Sequence, residues 1–122
     1  MSFTIERTIT AERMEDLLCC AFEGGIGYWA QVELLEDAGA RPWRYVHELP
    51  VRGGSVTLSD STGEGWPETA EPYLNGTSLQ EGLKIMGDKH PRHMADFLAE
   101  NEDAITGDVF VQCCVFGEVV FG

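Results

Sequence analysis

Basic residues are scarce in this chain. Lys and Arg number 8 against 21 Asp and Glu, which sets the formal net charge at −13 and the pI near 4.4. Without basic patches a protein cannot displace counterions from nucleic acid or an anionic bilayer, so direct binding to either is disfavoured. Long apolar runs are missing as well, none approaching the roughly 18 residues of a membrane span. Met1-Ser-Phe-Thr-Ile-Glu-Arg7 lacks a basic start followed by an apolar core, so no signal peptide is expected. There is no Ser-centred elbow, no Ser/His/Asp arrangement and no Walker sequence. Only 3 histidines occur. Two of them, His90 and His93, are spaced by three with Asp96, but zinc-type ligand spacing is absent and His90 precedes Pro91 at or before a helix start. No metal, no cofactor and no enzymatic activity are expected.

Two further features carry less chemistry than they suggest. Gly24-Gly25-Ile26-Gly27 follows a helix instead of preceding one, so the nearby pole is negative and repels phosphate; the motif reads as a helix stop. The 4 cysteines form two vicinal pairs, Cys19-Cys20 and Cys113-Cys114. A bridge between neighbours is strained, and no adjacent basic group lowers a thiol pKa. The expectation is four reduced, buried thiols in a soluble cytoplasmic protein.

What is present is a chain of 122 residues, 43% hydrophobic, enough for a single domain over 1–122 with its own core. Its most apolar stretch is the last. From Val109 to Phe121 only Gln112 and Glu118 are strongly polar. Such a segment must be buried on most sides. Its length favours a helix from about Gly107 to Val120, with Thr106 as N-cap, over a buried strand, although its valines suit a strand.

Earlier in the chain, residues 2–9 partly alternate and predict a short first strand. Thr10 reads as an N-cap, and Met14, Leu17, Leu18 and Ala21 mark an amphipathic helix stopped by Gly24-Gly25. From Gly27 to Leu35, Tyr28, Ala30, Val32 and Leu34 alternate with Trp29, Gln31, Glu33 and Leu35, the pattern of a half-buried strand. A turn over 36–42 follows, then strands at Trp43–Leu49 and Ser55–Asp60. Short connections favour an antiparallel meander. Residues 61–77 form the longest irregular stretch, with room for a short strand around 68–73; connections this long are more often functional or mobile than passive. Ser78 and Glu81 suggest a capping box for a helix to about Asp88, in which Gly82 suits a close helix crossing. Pro91 suits the first position of another helix, through Met94, Phe97 and Leu98 to Asn101. The fold class expected is α+β: a small antiparallel sheet covered by an N-terminal helix and about three C-terminal helices.

Ala21-Phe-Glu-Gly-Gly-Ile-Gly-Tyr-Trp29 resembles the opening motif of small uncharacterised proteins encoded in phage and prophage genomes. Thr106-Gly-Asp-Val-Phe-Val-Gln-Cys-Cys-Val-Phe-Gly-Glu-Val-Val-Phe-Gly122, with Pro91-Arg-His-Met-Ala-Asp-Phe-Leu98 before it, is similar to their ending. The match covers both ends, about half the chain, and residues 36–77 carry no motif. The resemblance implies phage or prophage origin and action inside a bacterial host. It supplies no activity and no catalytic residues.

Three functions follow as expectations. The first is a non-enzymatic accessory protein that binds a basic host protein through acidic side chains. Glu12, Glu15, Asp16 and Glu23 on the first helix, and Glu100, Glu102, Asp103 and Asp108 before and at the last, have too few basic residues alongside to neutralise them. The second is a binder of a small metabolite or nucleotide near Tyr28, Trp29, Trp43 and Trp66, aromatics that equally suit a core or sheet flank. The third is a structural homo-oligomer.

Overall fold

Side chains that satisfy free backbone N–H groups set where the helices begin. The computed structural model describes residues 1–37 and 39–122. Helix α1 (Ala11–Cys20) starts where the Thr10 hydroxyl accepts from the Arg13 amide at 3.2 Å. Met14, Leu17 and Leu18 are its buried stripe, and a widened turn, Ala21–Gly25, ends it at the paired glycines. Gly25 permits a close approach there, since a Cβ would lie 2.6 Å from the Ala104 carbonyl oxygen.

Three strands form an antiparallel meander in the order β1 (Ala30–Glu36), β2 (Ser55–Asp60), β3 (Tyr73–Leu74). The topology is the expected one, but its strands come from partly different stretches. Residues 2–9 form no strand. Trp43–Leu49 forms none either; Val46–Arg52 winds into a 3-10 helix containing Pro50. The Glu48 carboxylate accepts from the Arg44 and Tyr45 amides at 3.3 and 3.2 Å and so closes that turn locally. Tyr28 and Trp29 lie in the turn before β1 and not on it. The short strand anticipated near 68–73 appears at Tyr73–Leu74. Of the turn expected over 36–42, Ala38 lies outside the described residues.

β1 is not half-buried: only Ala30 is covered and the other six residues are exposed. A bulge at Glu33 shifts its register, so Val32 lies opposite Leu58 while Leu35, not Leu34, lies opposite Val56. Leu34 therefore turns to the outer face with Thr57.

Helix α2 (Gly76–Lys89) is capped by Asn75, three residues before the expected Ser78. The Asn75 Oδ1 accepts from the Ser78 amide at 3.0 Å, and the Ser78 hydroxyl accepts from the Asn75 amide at 2.9 Å. Helix α3 (Pro91–Leu98) begins on its proline and stops short of Asn101. Helix α4 (Ala104–Phe116) likewise starts earlier than expected, with Asp103 as N-cap and Thr106 as its partner at the third position. It also stops earlier. Gly117 takes φ 74°, a left-handed C-cap, and residues 118–122 fold back out of the helix.

α4 occupies the centre. Every residue from Val109 to Val115 is buried, and a single contiguous core joins them to α1, α2, β2 and Trp29. Two glycines let neighbouring backbones approach it. A Cβ on Gly107 would meet the Ala21 nitrogen at 2.5 Å, and one on Gly82 would meet the Cys114 Cα at 3.1 Å. The crossing at Gly82 is the close one its sequence position suggested. Among the described residues, no helix is long and apolar enough to cross a membrane.

Candidate functional site

The one strongly polar side chain inside the α4 apolar run, Gln112, organises a network with Asp108 one turn before it. The Gln112 amide donates to Asp108 Oδ1 at 2.9 Å and to the Phe121 carbonyl at 3.0 Å. Its own oxygen accepts from the Val120 and Phe121 amides at 2.7 and 2.9 Å. A fully buried glutamine thereby satisfies its polar atoms by clamping the returning tail. Asp108 then accepts from the Trp29 indole N–H at 2.7 Å and the Tyr28 hydroxyl at 2.6 Å. Half of Tyr28 is exposed, but its hydroxyl sits among Asp108, Gln112 and the Phe121 carbonyl. Burial, then the Asp108 hydrogen bond, pushes that phenol up to about 12.

Trp29 is wholly buried beneath this network and carries an aromatic cluster. Phe121 stacks on it at 6.0 Å between centroids, Phe116 and Trp66 tilt against it at 5.1 and 5.6 Å, and the Trp66 indole donates to the Trp29 carbonyl at 3.1 Å. Residues 61–77 are accordingly tied down. Asp60 accepts from the Thr62 and Gly65 amides at 2.7 and 2.6 Å, and the Glu71 amide donates to the Val115 carbonyl at 2.8 Å. Two of the expected sites thus converge: Asp108 from the acidic set bonds Tyr28 and Trp29 from the aromatic set. Trp43 stands apart, its indole donating to Asp37 at 3.4 Å.

The two acidic groups do meet, and Arg13 joins them. Its guanidinium pairs with Asp16 at 2.8 Å and with Glu102, lies 3.9 Å from Glu100, donates to the Phe97 carbonyl at 2.8 Å and covers the Phe97 ring at 5.0 Å. Arg13 supplies this cluster with one positive charge against three carboxylates. The sequence signal was present, a lone arginine in an acidic helix, but its partners are far along the chain. Arg52 holds Glu15 and Glu48, both at 3.1 Å. Asp103 caps α4; the Thr106 amide holds its carboxyl below the ordinary range, although burial opposes this. Asp16, Glu23, Glu100 and Asp103 remain exposed, as does Glu12, which lines a groove with Glu15, Arg41 and Arg52, whereas Glu102 is largely covered.

The cysteines are free, but Cys19 and Cys20 are only half-buried, unlike Cys113 and Cys114. Burial raises all four thiols, Cys113 to about 11. Glu23 and Asp16 add to the effect at Cys19, and Glu102 and Asp103 at Cys20. These carboxylates therefore surround one stretch of α1. No protein-family model, curated protein or solved structure matches this chain.

Proposed function

We propose that the chain is a non-enzymatic accessory protein of phage or prophage type that binds a basic protein of its bacterial host, in the cytoplasm, through the carboxylate face around Arg13. The observation that carries this reading is the assembly of Asp16, Glu100 and Glu102, from elements distant in sequence, around a single guanidinium. One positive charge there is answered by more carboxylates than it can neutralise, with Glu12 one helical turn before Asp16 and Glu23 beside Cys19. Such a face attracts cationic partners over about a Debye length and orients them before contact. The aromatic set supports ligand binding less well, because Trp29 is buried and the polar atoms of Tyr28, Trp29 and Trp66 bond within the protein.

The test uses exposed members of the face whose loss leaves the fold intact: Glu12→Gln, Asp16→Asn and Glu100→Gln combined. Native protein should retain a basic bacterial protein at low salt and release it at high salt, and the triple variant, with an unchanged melt, should retain none. Equal capture by both proteins would sink the reading.

A further inference from the structure

Two features of this fold lack a counterpart. Residues 2–7 alternate as a strand does, with Phe3, Ile5 and Arg7 on one side and Ser2, Thr4 and Glu6 on the other, yet they form no strand. Phe3 and Ile5 are 89% and 95% exposed. Only Ile9, at the root of the segment, packs against the core. Conversely, β1 pairs on one side alone, with β2, and among the described residues no strand pairs with its other edge. Along that edge Val32, Leu34 and Leu35 are 43%, 51% and 39% exposed.

We propose that residues 2–7 of one copy of this chain add as a strand to the free edge of β1 in a second copy, reciprocally, forming a strand-exchanged dimer. Length and polarity fit. Six extended residues span about 20 Å, the reach of the paired positions of β1. Phe3 and Ile5, on one side of the segment, offer apolar cover to one face of β1. The edge carries Glu33 and Glu36 and no basic residue, whereas the segment is neutral overall, with Glu6 on one side and Arg7 on the side of Phe3 and Ile5. Charged residues and bulges commonly protect an edge from indiscriminate pairing. Here the bulge and the carboxylates oppose β1 meeting another β1, which would juxtapose like charges, while the neutral segment meets no such net repulsion and sets Arg7 on its apolar side. A closed, two-fold exchange leaves neither edge open. This dimer does not depend on the acidic-face reading.

The experiment is light scattering of the full chain across a dilution series, with hydrogen exchange read at the β1 amides. The native protein should pass from twice the chain mass to the chain mass on dilution, with β1 outer amides protected only in the heavier form. Phe3→Asp/Ile5→Asp should weaken association about a hundredfold or more, since two large apolar contacts are lost. Glu33→Lys/Glu36→Lys should weaken it through Arg7. Both variants alter exposed side chains, so their melts at high dilution should match the native one. A monomer at every concentration overturns the proposal, as does a dimer indifferent to both variants. So does a monomer whose segment 2–7 is protected within its own chain, or whose β1 is protected only by an added basic peptide.

Discussion

α4 and β1 are both rich in large apolar side chains, and the fold treats them in opposite ways. Val109 to Val115 are all covered, whereas Val32, Leu34 and Leu35 remain in contact with water. The difference lies in neighbours. α4 is packed by α1 and its terminal turn, by α2, by α3 and by β3, and its Gln112 holds the tail against it. β1 has β2 on one side and, among the described residues, no strand on the other. Hydrophobic content gives a segment a reason to be buried; only the surrounding elements give it the means.

The sharpest way to probe this contrast is to truncate one large side chain in each region. Phe110→Ala, in the centre of α4, should cost about 3 to 5 kcal/mol by urea unfolding. Leu34→Ser on β1 should stay within about 0.5 kcal/mol in the monomer. A costly Leu34→Ser would show that β1 is covered in solution. Next in size is Gln112→Leu, which keeps bulk and removes the clamp. It leaves the Phe121 amide and part of Asp108 without a partner, at about 2 kcal/mol, and should shift Trp29 fluorescence to the red as the tail loosens. An unshifted spectrum would mean that the aromatic cluster holds the tail without Gln112. The smallest effect concerns the start of α4. Asp103→Ala should cost about 1 kcal/mol at neutral pH. The folded-state pKa of Asp103 is depressed, so its stabilisation is present above the unfolded value of about 3.9 and lost as pH falls through the folded value. The gap between native and variant stability should therefore close in acid, and a gap independent of pH would assign the cost to packing.

Local signals were readable where a short stretch contains both partners of an interaction. Thr10 and the Met14, Leu17, Leu18 stripe identify α1, and Pro91 opens α3, because capping and helical side-chain contacts act within a turn or two. Competing local signals moved boundaries by a few residues. Ser78 and Thr106 both resemble N-caps, but each is the third-position partner of the true cap, Asn75 or Asp103. Gly117 interrupts the apolar run, and its left-handed conformation shows that the helix ends there.

By itself the sequence determined the α+β class, the antiparallel meander, the central place of the apolar segment beginning at Val109 and the acidic excess. The class, the apolar segment and the acidic excess follow from composition and periodicity, and the meander from short connections, though not with all of the strands expected. The tertiary structure alone decided which β-like stretches became strands. Residues 2–9 and Trp43–Leu49 resemble Ser55–Asp60 in pattern, but a strand is stable only with a partner supplied from elsewhere in the chain, and β2 received two. The same holds for the polar groups. Asp108 looked like a surface carboxylate until Trp29 and Tyr28, 79 and 80 residues away, were placed against it, and Arg13 became the hub of an acidic face through Glu102, 89 residues on. Hydrogen bonds and ion pairs act over a few ångströms, so their partners are set by where the fold brings the chain and not by their separation along it.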